Sequence, residues 1–432
     1  MPIAFQNLVS SSLNMVDTVM IGALGERDIA ASGLANQLFF LFVLILFGIN
    51  SGSGIFIAQY FGKKDIKNIH RVQGIGLITS CSIALIFTLG AVLFPKSILS
   101  AFSKDSMVVI QGSKYLRIVG LSYVINAISL SYAFALRSTR QAKIPMFISI
   151  IALLTNTILN YLLIFGKFGF PFLGIEGAAI ATLIARIVEF LCILGYVYST
   201  KNILAAPLKQ LFDLSKEFIA NFFKITIPVI LNEGFWALGM TMYSMAYARI
   251  STEAIATVQI SNTVQNIFMV MNMGISNACA VMIGNKIGEG KQHRAIEYSK
   301  KFSYIVPILG AVMGLLLIIA SPLILKAFSV RAETYSDAIK VLRIIGIIMP
   351  IKAFNALLVV GILRSGGDTK FSLFLETGTV WLVGVPLAFL GALLLKWPVY
   401  MVVSLVMLEE VVKVFIGIWR VKSKKWIRSV VQ

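Results

Sequence analysis

Leu116-Arg117-Ile118-Val119-Gly120 recurs 226 residues later as Leu342-Arg343-Ile344-Ile345-Gly346. The same register runs outward from there. Pro2 answers to Pro228, Gly48-Ile49 to Gly274-Ile275, and Gly62 to Gly288. Ile98-Leu99 and Ala101-Phe102 answer to Ile324-Leu325 and Ala327-Phe328. One residue then slips in, and Leu136-Arg137-Ser138 with Lys143 matches Leu363-Arg364-Ser365 with Lys370. The chain reads as two copies of one unit.

Both copies are apolar on a scale that excludes an ordinary soluble domain. Of 432 residues, 58% are hydrophobic and 13% charged, with a mean hydropathy of +0.87. Soluble chains carry about a quarter charged residues, and a bilayer-spanning helix needs about 20 largely apolar ones. Twelve such stretches fit, near 2–23, 33–61, 72–94, 116–136, 144–166, 174–199, 222–248, 255–285, 302–325, 341–363, 371–395 and 397–419. The expected fold is an all-α integral membrane protein of twelve transmembrane helices. Six helices per copy is an even number, so both copies enter the membrane in the same sense. That is the parallel kind of repeat, and fused repeats often enclose a midplane substrate site.

A net charge of +19 would suggest nucleic acid in a soluble chain, but its distribution argues against such a partner. The loops after even-numbered spans and the tail hold 23 of the 38 Lys and Arg, among them Lys63, Lys64, Lys67, Arg71, Lys286, Lys291 and Arg294. This positive-inside bias assigns those loops and both termini to the cytoplasm. The expected organisation is a first lobe at 1–199, a linker at 200–221, a second lobe at 222–419 and a basic cytoplasmic tail at 420–432. In the linker, Lys209, Phe212, Leu214, Lys216 and Phe218 suggest a short amphipathic segment on the cytoplasmic face. Cys81, Cys192 and Cys279 lie dispersed in apolar stretches, which implies neither a disulfide framework nor a metal site. Nothing resembles a phosphate-cradling Gly-rich loop, so no nucleotide cofactor is expected.

A charge at bilayer depth costs roughly 2.5–3.5 kcal/mol on insertion scales and demands an account. Asp17 lies about 22 Å along its helix from Pro2. Its counterpart in the second copy is Tyr243. Glu233 stands within two turns of Pro228, where the first copy has Asn7, and Lys352 in the tenth span is its candidate counter-charge. Asn156 and Asn160 share a helix face at i, i+4, and Thr182 follows in the sixth span. With Asp17 they offer the hard oxygen ligands that sodium takes, although polar glue between helices would use the same residues. Gln259, Asn262, Gln265 and Asn266 form a polar set on the eighth span, suited to a wet cavity or to helix packing. Trp236, Met240 and Tyr243 are candidate cavity neighbours, in a Met-rich region that also holds Met242, Met245, Met269, Met271 and Met273. Arg186 with Glu189, and Glu409 with Lys413, are spaced to neutralise each other locally. Glu376 is expected near the interface.

Several motifs in order resemble the multidrug and toxic compound extrusion family. They are Met15-Val16-Asp17-Thr18-Val19-Met20-Ile21-Gly22, Gly48-Ile49 through Gln59-Tyr60-Phe61-Gly62, Gly177-Ala178-Ala179-Ile180-Ala181-Thr182 and Leu363-Arg364-Ser365-Gly366-Gly367-Asp368-Thr369. The resemblance implies two six-helix lobes forming a V, with cation-coupled efflux of bulky, often cationic, organic compounds. Under it, Asp17 corresponds to the first-helix acid, and Asn156 and Thr182 to the amide and hydroxyl of an N-lobe cation site. Asn160 falls where some members have a second Asp. Glu233 resembles the seventh-helix acid, one turn early, and Lys352 and Asn355 stand where some members carry a tenth-helix Asp.

The reading is a secondary antiporter that exchanges H+ or Na+ for small organic cations or amphiphiles, with ion coupling through Asp17, Asn156, Asn160, Thr182 and Glu233. A flippase for a lipid-linked saccharide is the alternative within the same superfamily. An enzyme is disfavoured, because no nucleophile–base set, carboxylate pair or metal-spaced His cluster is present. A monomer in a bacterial inner membrane is expected.

Overall fold

The computed structural model describes residues 16–326 and 332–431, and those residues form helices and turns with no strand. Pro2 through Met15 of the first span, and the Ala327-Phe328 match of the repeat, lie outside the described residues. The chain divides into two compact units, residues 2–223 and 224–432.

In the first unit, α1 (16–22) is followed by α2 (Glu26–Lys63), α3 (Ile66–Leu93) and α4 (Pro95–Ser100). Next come α5 (Ser106–Gly120), α6 (Ser122–Ser138), α7 (Lys143–Phe165), α8 (Gly174–Ser199) and the short α9 (Leu208–Leu211). Local chemistry sets several starts. Asp65 caps α3 by accepting from the Asn68 amide, and Asp105 caps α5 by accepting from Met107 and Val108. The α2–α3 turn closes through Lys64 in the left-handed region at φ 61°. The fourth span is α5 with α6, bent by 47° at Leu121.

The linker is tied to the first unit through α3. His70 bonds Gln210 at 2.5 Å and the Ile203 carbonyl at 2.8 Å. Arg71 donates to Asp213 at 2.6 Å. That hydrogen bond, reinforced by the charges of Arg71 and Lys67, holds the Asp213 carboxyl below the usual carboxylate range. Gly74 permits the approach, since a Cβ there would stand 1.9 Å from the Leu211 carbonyl oxygen.

The second unit takes in α10 (Lys216–Ala248, which begins before the unit does), α11 (Thr252–Gly288) and α12 (Gln292–Leu325). Ser251 caps α11 through the Ala254 amide. α13 (Ala332–Ala356) continues as π-helix over Leu357–Arg364. α14 (Thr369–Thr379) runs through a π-turn at Val380–Gly384 into α15 (Val385–Phe389) and a second π-turn at Leu390–Leu394. α16 (Val399–Val406) and α17 (Leu408–Lys422) are separated at Met407. Mid-helix π-turns mark inserted residues and often sit at functional sites.

Among the described residues, nine helices are long and apolar enough to cross a membrane, and the α5–α6 pair makes ten. The two remaining expected spans are the first, described only from residue 16, and the last, broken at Met407 and loaded with Glu409, Glu410 and Lys413. The tail does not simply trail into solvent. Trp426 is buried, Val430 and Val431 are nearly so, and the Arg428 amide donates to the Gly366 carbonyl at 2.7 Å.

Candidate functional site

Within the first unit, three helices bring four polar side chains together. Asn160 Nδ2 donates to Asp17 Oδ1 and, at 3.1 Å, to Asn156 Oδ1. Asn156 Nδ2 donates to Thr182 Oγ1 at 3.3 Å. The i, i+4 spacing on α7 produces this ladder, because both amides leave the same helix face. Asn156 and Asn160 are fully buried. Among the described residues Asn160 Oδ1 has no hydrogen-bond partner. Among the described residues no basic group lies within ion-pair distance of Asp17. The cation whose charge reaches it, Arg186, is bonded to Glu189 at 2.8 Å. The site is therefore a lone carboxylate with neutral oxygen and amide neighbours.

In the second unit Glu233, Glu376, Glu409 and Glu410 are arranged differently, each with a cation within 4 Å. Arg364, at the end of the π-helical stretch of α13, lies 2.6 Å from Glu233 Oε1 and 3.5 Å from Glu376 Oε2. Asn232 Nδ2 donates to that same Glu376 oxygen at 2.5 Å. Toward the other side, Lys413 meets Glu409 at 2.9 Å and Glu410 at 3.7 Å. Tyr243 Oη donates to Glu409 Oε2, and Asn355 Nδ2 donates to Glu410 Oε2 at 2.6 Å. Tyr243, at Asp17's position in the repeat, thus faces an acid carried by α17. The carboxylate has moved from the first helix of one copy to the last helix of the other.

One sequence expectation needs correction here. Lys352 does not pair with Glu233; its Nζ donates to Gln265 Oε1 at 3.0 Å, and Arg364 takes Glu233 instead. Glu376, expected near the interface, is 17% exposed at its side chain and is held by Arg364 and Asn232. Glu409 and Lys413 do neutralise each other, but Glu410 and Tyr243 belong to the same group. Sequence reasoning gave Arg364, Asn355 and Glu410 no part in these pairs. The recurrence of Arg364 with Arg137 was the one available signal for the first. Nothing in the spacing told that α13 and α17 meet.

The candidate cavity residues also separate. Gln259, Asn262 and Asn266 are exposed along α11, while Gln265 points inward to Lys352. Trp236 is partly exposed, Met240 packs on the core, and Tyr243 is buried. No group of three or more His, Cys, Asp or Glu side chains suited to a metal occurs among the described residues.

Against known proteins, a MatE family profile matches residues 2–162 and again residues 228–390. The chain belongs to the MatE family. The two matches begin 226 residues apart, which is the offset of the internal repeat. This MatE chain is 25% identical over 431 residues to the uncharacterized transporter YisQ of Bacillus subtilis strain 168, covering 99% of the chain and 94% of that protein. It is 22% identical over 398 residues to the probable multidrug resistance protein NorM of Thermotoga maritima, covering 90% and 83%. A crystal structure of MATE in the straight conformation superposes with a TM-score of 0.87 at 19% identity, over 98% of this chain and 94% of that one. A mutant of the Vibrio cholerae MATE transporter VcmN gives 0.87 at 18% identity, over 99% and 96%. The fold is therefore the twelve-helix fold of MATE transporters, and this MatE protein is a multi-pass membrane transporter, not an enzyme.

Proposed function

We propose that this MatE protein is a secondary antiporter that expels bulky, often cationic, organic compounds in exchange for H+ or Na+, with Asp17 as the coupling group. One observation carries the reading. Among the described residues Asp17 is a carboxylate with no contacting cation, and beside it stands a buried amide oxygen with no partner. An intramembrane acid left in that state calls for a proton or a cation. When protonated, Asp17 becomes a donor, and the Asn160 oxygen is the acceptor at hand once its amide turns over. For sodium, the carboxylate with Asn160 Oδ1, Asn156 Oδ1 and Thr182 Oγ1 supplies the hard oxygen set. Either ion removes the uncompensated charge and shifts the balance between two states of the transporter. Substrate must favour the opposite state for the two fluxes to be linked.

The relatives named multidrug resistance proteins support the substrate class. The positive-inside charge pattern supports a bacterial inner-membrane protein with both termini in the cytoplasm. The test is efflux of a fluorescent organic cation from loaded proteoliposomes, with proton and sodium gradients imposed separately, for wild type and Asp17→Asn. Efflux driven by one gradient and lost in the variant supports the reading and names the ion. Transport that ignores both gradients removes it and puts the lipid-linked saccharide flippase first.

A further inference from the structure

The α11–α12 turn opens into a cleft of about 560 Å³ lined by Lys286, Lys291, His293, Arg294 and Tyr298. Glu289 lies 2.7 Å from Lys286 and 3.1 Å from Lys291. Glu297 lies 2.7 Å from both Arg294 and Lys301. Those two acids do not exhaust the set. An ammonium has three donors and a guanidinium five, and the Lys291 and Arg294 side chains are more than half exposed. His293, also exposed, makes no hydrogen bond among the described residues.

The matching turn of the first copy is supplied with acids. The two turns close in the same way, with the Lys64 and Asp65 amides donating to Phe61 and Tyr60, and the Gly290 and Lys291 amides to Ile287 and Lys286. Lys64 and Gly290 both sit in the left-handed region, at φ 61° and 74°. In the first copy Asp65 then caps α3 through the Asn68 amide. The linker adds Asp213, 2.6 Å from Arg71 and 3.5 Å from Lys67. At the 226-residue offset Lys291 replaces Asp65, and His293 replaces Lys67. No side chain caps α12. The tail, residues 420–432, contains no acid that could act as Asp213 does. The second copy keeps the turn, puts a base where the acid stood, and leaves the cleft open.

We propose that the cleft at the α11–α12 turn is a binding site for a phosphate-bearing anion, held chiefly by Lys291 and Arg294 with His293 beside them. A phosphate group presents several oxygens at once, which suits an ammonium, a guanidinium and an imidazole converging on one cleft. The start of the 34-residue α12 adds free backbone amides and the positive end of the helix dipole. On the topology proposed above the turn lies at the cytoplasmic surface of the bilayer. The phosphate can come there from an anionic lipid headgroup or from a soluble compound. The site is separate from Asp17 and does not depend on which ion or substrate is moved.

The test is titration calorimetry of the purified full-length protein with two probes, inorganic phosphate and a short-chain phosphatidylglycerol below its micelle concentration. Wild type should bind at least one of them. Binding of phosphate assigns a soluble source, and binding of the lipid alone assigns the headgroup. The Lys291→Gln/Arg294→Gln double variant, altered only at exposed side chains, should bind about tenfold more weakly, the scale of losing charges that face an anionic group. The Lys63→Gln/Lys209→Gln double variant, which removes as much charge from the first unit, should bind as wild type does. Lys291→Asp, which restores the acid of the first copy, should weaken binding at least as far as the double glutamine variant. Failure of wild type to bind either probe would overturn the inference, and that arm needs no variant. Equal losses in the two double variants, or wild-type binding by Lys291→Asp, would overturn it as well, since the attraction would then belong to the net charge and not to the cleft.

Discussion

The two copies of the repeat handle buried charge in opposite ways. Among the described residues of the first unit, Asp17 has no contacting cation, while Arg186 and Glu189 close on each other. In the second unit Glu233, Glu376, Glu409 and Glu410 are paired, and Lys352 has no contacting anion among the described residues. An unpaired group is free to bind and release something, whereas a paired one must break a bond first. The lesson is where charge is left uncompensated: on a carboxylate in the first unit and on an ammonium group in the second. Duplication supplied the helices, and single substitutions such as Asp17 against Tyr243 supplied the difference.

The comparison is most sharply broken at Arg364. Replacing it by Met strands Glu233 and Glu376 together, and removing one partner of a buried pair costs about 3–5 kcal/mol. Arg137→Met, at the same place in the first copy, should cost less, because Glu189 keeps Arg186. Denaturation of the purified variants in mild detergent checks the order, and equal losses would mean that the pairing in the second unit contributes little.

Next in size is Gly384→Ala. A Cβ at that position would stand 1.8 Å from Tyr243 Oη and 2.7 Å from Glu409 Oε2. The Tyr243–Glu409 bond must then yield, at about 1–3 kcal/mol for an overpacked site. Gly234→Ala, with open space around it, should leave the melting temperature within a degree or two of wild type, given that 1 kcal/mol shifts Tm by roughly 2–4 °C in larger domains. A similar melting temperature for both variants would show that the packing at Gly384 is loose.

The smallest effect belongs to the loops. Lys286 and Lys291 hold the Glu289 carboxyl down to about 2 from its ordinary 4.5. A depressed folded value stabilises above the unfolded value and is lost as pH falls between the two. Wild type should therefore lose a little more stability than Glu289→Gln between pH 4.5 and about 2. Parallel melting curves across that window would remove the pair from the account.

Much of this architecture was legible in the chain. Hydropathy marks the spans, and the 226-residue register marks the copies. Asp17, Asn156, Asn160 and Thr182 could be grouped before any coordinates, because the two amides share a helix face and the other residues stand in recognisable motifs. The second unit resisted the same reading. Which cation meets Glu233 depends on how α10, α13 and α14 pack, and Arg364 reaches it from a π-turn that no periodicity announces. The break at Met407 has no proline or glycine beside it, so composition alone hides it, and the bend at Leu121 is marked only by the adjoining Gly120 inside an otherwise apolar run.

The most direct test of the central claim is gradient-driven efflux of a fluorescent organic cation by Asp17→Asn beside Glu233→Gln and Glu376→Gln, all shown to be folded by their melting transitions. The account predicts that Asp17→Asn alone loses the response to the driving ion, by on the order of 100-fold, the upper range of a coupling free energy. The two glutamine variants should keep that response while melting earlier. A coupled Asp17→Asn protein, or a folded glutamine variant that no longer responds to the gradient, would contradict it.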